Sequence, residues 1–110
     1  MSVQRIDIAR LSDLPSIRGK RFVVEGGEEI VLWRTESGVV AARNMCPHQH
    51  FNTLHEGRVV DGTVECPMHG WTFNLATGKA VVGSGCLTLY PVHMKGERIL
   101  VDIDDGSAED

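Results

Sequence analysis

Two short segments, each carrying one cysteine and one histidine, constrain this chain more than any other feature. Cys46-Pro47-His48 sets a thiol and an imidazole two residues apart. Cys66-Pro67-Met68-His69-Gly70-Trp71 sets a second such pair three apart, with seventeen residues between His48 and Cys66. A proline after each cysteine stiffens the backbone that presents it. Gly70 lets the chain turn sharply or approach a neighbour without a Cβ clash. A fold that uses these residues must bring two loops to one centre. Three cysteines is an odd number, and two of them stand beside histidines, which fits an intracellular metal site better than a disulfide framework. Cys86 has no ligand-type neighbour in sequence and reads as a small buried hydrophobe.

The rest of the chain supplies the frame. Ile6 and Ile8, Phe22 and Val24, and Ile30 and Leu32 each face one way in a candidate strand, and a turn at Gly26-Gly27 separates the second run from the third. Val39 to Ala42 follows Ser37-Gly38. Leu87-Leu89 and then Ile99, Val101 and Ile103 alternate on either side of Lys95-Gly96. Period-two spacing of branched residues bounded by glycine turns marks half-buried strands, and predicts an all-β sandwich or barrel. Ser12 to Ile17 is the one stretch that reads as a helical turn, with Ser12 as its cap. Residues 44–80 break the rhythm: they hold four of the five histidines, two cysteines and two prolines, and read as a small inserted lobe of loops and short hairpins. The acidic residues from Asp104 to Asp110 are expected to fray into solvent.

A chain of 110 residues accommodates one domain, 1–110, with a single β framework. Its net charge of −4, without a Lys/Arg cluster, argues against a nucleic-acid partner. A mildly acidic surface suits steering onto a basic patch of another protein. No apolar run reaches the ~20 residues of a membrane span, and no leader-like segment follows Met1, so a cytoplasmic location is expected.

Two chemistries compete for the four donors. One is a closed, tetrahedral zinc site that would make the protein a zinc-stapled binding module. The other is a two-iron cluster in which two cysteines hold one iron and two histidines the other. Zinc fingers usually pair cysteine with cysteine and histidine with histidine, whereas here each loop supplies one of each. That interleaving suits two loops that each grip both irons. His50, His55 and His93 stand outside the pattern and read as solvated or locally satisfied side chains. Trp71 and Phe73 read as packing beneath the second loop.

The two segments resemble the cluster-binding loops of Rieske proteins. The likeness continues through Thr77-Gly78-Lys79, Tyr90-Pro91-Val92 and Ile99 to Ile103. The resemblance implies a three-sheet β fold with a small inserted cluster-binding lobe, one [2Fe–2S] cluster and one-electron transfer. It implies Cys46 and Cys66 as ligands of the inner iron and His48 and His69 as ligands of the outer one. High-potential Rieske proteins of respiratory chains add a cysteine to each loop, where Phe51 and Met68 stand here, so no bridging disulfide is expected. Those relatives also carry hydroxyl donors after the second histidine, where this chain has Trp71 and Phe73. Fewer hydrogen bonds to sulfur lower the potential, so a value at the low end of the Rieske range, around −150 mV, is expected.

The function expected from this resemblance is that of a ferredoxin carrying electrons from a flavin-dependent reductase to a terminal oxygenase, not itself an enzyme. A small subunit of an assimilatory NAD(P)H nitrite reductase is the alternative. The chain is too short to carry the separate two-histidine, one-carboxylate iron of an oxygenase catalytic subunit.

Overall fold

The computed structural model describes residues 3–15, 18–24, 27–36, 38–45, 53–67 and 70–104. Three antiparallel sheets account for most of them. β1 (Val3–Arg10), β11 (Arg98–Asp104) and β10 (Val92–Lys95) form the first, in the order β1-β11-β10. β2 (Lys20–Val23), β3 (Glu29–Thr35), β4 (Gly38–Arg43) and β9 (Leu89–Tyr90) form the second in the order given. β5 (Arg58–Val60), β6 (Thr63–Glu65), β7 (Thr72–Asn74) and β8 (Ala80–Val82) form the third, a meander of short strands.

The second sheet lies between the other two, and β3 shows why. Ile30, Val31, Leu32 and Trp33 are all fully buried. Successive side chains of a strand point to opposite faces. Ile30 and Leu32 therefore join Ala41, Ile99, Val101 and Ile103 in one core against the first sheet. Val31 and Trp33 join Ala42, Leu54, Val64, Phe73 and Leu75 in a second core against the third sheet. The alternation predicted for this stretch is real, yet both of its faces are covered. A continuous apolar run is the pattern of a strand buried on both sides.

The helical turn expected at Ser12 to Ile17 is displaced and shorter. A single 3-10 turn spans Leu11–Asp13, and the Arg10 N–H donates to Asp13 Oδ2 at 3.0 Å. Asp13 thus satisfies a free N–H at the start of the turn, where Ser12 was expected to act as cap. Pro15 follows closely and cannot continue a helix; Ser16 and Ile17 lie outside the described residues. Among the described residues no helix is long and apolar enough to cross a membrane.

The third sheet is organised by its turns. Asp61 and Gly62 both have positive φ, 51° and 78°, and join β5 to β6 with Val60 opposite Thr63. Two consecutive left-handed residues match the right-handed twist of a tight hairpin, and Asp-Gly is a preferred pair for it. β6 and β7 then pair Glu65 with Thr72, at the base of the stretch that holds Cys66 and Gly70.

Candidate metal centre

The second cysteine-histidine segment is the tip of the β6–β7 hairpin. Cys66 follows the last residue of β6, is 1% exposed, and donates its backbone N–H to the Trp71 carbonyl at 2.6 Å. That bond closes the loop at its base. Gly70 has φ 71°, a conformation that favours glycine, and a Cβ there would come within 3.2 Å of Glu65 Oε2. The Thr72 hydroxyl donates to the Gly70 carbonyl at 3.2 Å. The Trp71 ring lies against the backbone of Gly83, where a Cβ would sit 2.3 Å from Cδ2 of the indole. Phe73, two residues on, is fully buried in the core shared with β3. Both aromatics therefore pack as the sequence suggested.

The first segment leaves the end of β4 and returns at the 3-10 turn Leu54–Glu56. The stems of the two segments meet backbone to backbone. Gly57 lies so close to β6 that a Cβ would sit 2.6 Å from the Glu65 carbonyl oxygen and 2.8 Å from Val64 Cγ2. Leu54 and Val64 share one core. A shallow hollow of about 280 Å³ opens between the stems, lined by Glu56, Arg58, Glu65, Cys66, Pro67 and Gly70.

Of the four predicted ligands, the structure describes Cys66, whose thiol is buried beside this hollow. Cys46, His48 and His69 lie outside the described residues, as do His50, Phe51 and Met68. Among the described residues no three His, Cys, Asp or Glu side chains gather as a metal site. A two-loop cluster fits what is seen: a soft thiol on a pinned hairpin, and the stem of the first Cys/His segment packed against that hairpin through Gly57 and β6.

Three other expectations meet the structure here. Cys86 is exposed, not buried; it bridges to Lys79 and its thiol reaches the Leu87 carbonyl at 3.4 Å. Leu87 takes the core position beside it. His55 is satisfied locally: its Nδ1 lies 3.0 Å from Asn44 Nδ2. His93 stands 2.8 Å from Asp102 Oδ2 on the open face of the first sheet. The sequence reading overlooked Asn44, which is fully buried and bonded to both Glu29 and His55. Its one signal was position, a lone amide between the end of an apolar strand and Cys46.

The family model for the Rieske [2Fe–2S] domain matches residues 4–91. The 3-phenylpropionate/cinnamic acid dioxygenase ferredoxin subunit of Escherichia coli strain K12 is 32% identical over 106 residues, covering 94% of this chain and 97% of its own length. The ferredoxin component of the naphthalene 1,2-dioxygenase system of Pseudomonas aeruginosa is 29% identical over 105 residues, covering 94% and 99%. Among solved structures, the ferredoxin of carbazole 1,9a-dioxygenase from Nocardioides aromaticivorans IC177 superposes with a TM-score of 0.79 at 28% identity, covering 88% of this chain and 95% of that one.

Proposed function

This chain belongs to the Rieske [2Fe–2S] domain family, and we propose that it is the ferredoxin component of an oxygenase system, taking single electrons from a flavin-dependent reductase and delivering them to a terminal oxygenase. Its cofactor is one [2Fe–2S] cluster, which when bound supplies reversible one-electron transfer. Cys46 and Cys66 would hold the inner iron as thiolates, and His48 and His69 the outer iron through imidazole nitrogens. The chain's own work is to keep those four donors in register. The Cys66–Trp71 bond and the Gly57–Glu65 contact do this at the stems of the two segments. The role asks no residue of the chain to make or break a substrate bond, so the protein acts as a carrier and not as an enzyme.

The observation that carries this reading is the buried Cys66 thiol on a hairpin tip whose stem touches that of the other Cys/His segment. The choice of partner rests on the dioxygenase ferredoxin relatives, which match nearly end to end. A protein of Mycobacterium tuberculosis assigned as an NADH-dependent nitrite reductase small subunit superposes with a TM-score of 0.83, covering 94% of this chain and 98% of that one. At 22% identity that likeness speaks for the fold alone, so the nitrite reductase role ranks second.

The test is direct. Protein purified under anaerobic conditions should be red-brown and contain about two irons and two labile sulfides per chain. It should also carry electrons from a flavin-dependent NADH reductase to a Rieske-type oxygenase. Colourless protein with one zinc and no labile sulfide would refute the cluster. Full cluster content with electron delivery only to a nitrite reductase large subunit would select the second reading.

A further inference from the structure

We propose that Asn44 is a positioning residue for the metal centre: it ties the two ends of the first ligand-bearing segment to each other and to β3, and so sets where Cys46 and His48 stand. This rests on the ligand assignment proposed above. Among the described residues Asn44 is the one polar side chain in the core, at 0% exposure. A buried amide is costly unless its donors and acceptor are all used.

They are used, and the pattern fixes the amide's orientation. The backbone N–H of His55 can only donate, and it reaches Asn44 Oδ1 at 2.8 Å. Nδ2 therefore faces the other two partners, Glu29 Oε1 at 3.2 Å and His55 Nδ1 at 3.0 Å. An amide nitrogen only donates, so His55 Nδ1 accepts and the ring proton sits on Nε2, on the side of Glu56 Oε2 at 3.8 Å. The Asn44 backbone N–H also donates to the Glu29 carbonyl at 2.9 Å. Glu29 thus holds Asn44 through both main chain and side chain.

The consequence is a closed ring. The chain departs the sheet at Asn44, passes through Cys46 and His48, and returns at His55, eleven positions on, where it is bonded back to its starting side chain. A loop closed at its base has far fewer conformations than one tethered only by its flanking strands. An apolar residue at position 44 could fill the same space without desolvating an amide. What it could not do is hold the return of the segment. Partners that hold ligands without touching the metal typically account for 10- to 100-fold in metal affinity.

The test uses the holo protein and three variants. Asn44→Ala removes every side-chain bond. Asn44→Asp alone places a carboxylate against that of Glu29. Combining Asn44→Asp with Glu29→Gln restores a donor–acceptor pair of reversed polarity, keeps the acceptor for the His55 N–H, and lets His55 donate from Nδ1 in its other tautomer. The readouts are the rate at which an iron chelator strips the protein, the EPR g values of the dithionite-reduced state, and far-UV circular dichroism. Asn44→Ala and Asn44→Asp should lose iron about 10- to 100-fold faster than wild type, with shifted g values and an unchanged strand spectrum. The paired variant should recover most of the lost rate. A wild-type release rate and wild-type g values in Asn44→Ala overturn the proposal. Should Asn44→Ala fail to fold, equal release rates for Asn44→Asp and the paired variant overturn it instead. Wild-type protein without iron and sulfide overturns the ligand assignment itself, before any variant is made.

Discussion

Asp102 stands on the outer face of β11, opposite Arg5 of β1, and accepts hydrogen bonds from Arg5 Nε at 2.8 Å and Nη2 at 3.3 Å. His93 of β10 approaches the same carboxylate at 2.8 Å. Arg5 first, and His93 after it, pull the Asp102 pKa from 3.8 down to about 2. A carboxylate whose folded pKa is depressed favours folding above its unfolded value and loses that contribution as pH falls through the folded one. The window is therefore from about pH 4 to about pH 2. The expected result is a difference in melting temperature between wild type and Asp102→Asn that shrinks steadily as pH falls from about 4 to about 2. A difference independent of pH down to 2.5 would refute the linkage. Asp7, held down by Arg98, contributes in the same direction and should leave part of the acid sensitivity in place. At this scale the sequence was uneven as a guide. Cys66 stands out as a candidate because a cysteine beside Pro67 and three residues from His69 forms a local motif. Asn44 does not, since its partners Glu29 and His55 lie 15 and 11 residues away and join it only through tertiary contact.

Among the elements, the β6–β7 hairpin and its neighbour β8 make the most specific demands. Gly83 follows β8 with φ 96°, and its missing side chain is the floor on which Trp71 rests. Gly83→Ala would drive a methyl into the indole and force Trp71 aside. The Trp71 carbonyl receives the Cys66 N–H, so the disturbance passes directly to the base of the β6–β7 loop. Gly96 provides the control: its φ is 62°, but a Cβ there meets open space. Gly96→Ala should cost only the left-handed penalty of about 1–2 kcal/mol and leave the visible circular dichroism of the holo protein unchanged. Gly83→Ala should cost more and alter that spectrum; identical spectra for the two variants would count against the Trp71 linkage. Phe73→Ala, which empties a fully buried site in the core behind the hairpin, should lose about 3–5 kcal/mol in chemical denaturation. Strands β1 to β4 and β11 were readable from period-two spacing; β7, β8 and β10 were not, and the run read at Leu87-Leu89 pairs as a strand only from Leu89 onward. What spacing left open was β3, because alternation reports two faces without saying that both are covered. Only the arrangement of the first and third sheets on either side decides that Val31 and Trp33 are as buried as Ile30 and Leu32.

Across the whole molecule, the central sheet serves as a common wall. One core anchors the terminal strands β1 and β11, and the other anchors the four short strands that present the hairpin tip. Short strands with three-residue pairings hold little by themselves, and their rigidity is borrowed from Trp33, Phe73 and Leu75 packed behind them. The same arrangement bears on the reduction potential, because it decides which groups near the second loop can donate to sulfur. Phe73 is turned fully into the core, and the Trp71 ring lies over Gly83. The hydroxyl between them, on Thr72, is engaged with the Gly70 carbonyl of the loop itself. Potentials of these centres rise with hydrogen bonds to the cluster and its thiolates. Phe51 and Met68 offer no thiol within the two segments, so a disulfide between the loops is not expected either. The midpoint potential is therefore expected near the low end of the family range, around −150 mV, and unchanged by prior treatment with a thiol reductant. A redox titration followed by visible circular dichroism measures both. A value above about +100 mV at neutral pH would mean that sulfur has donors this packing denies it.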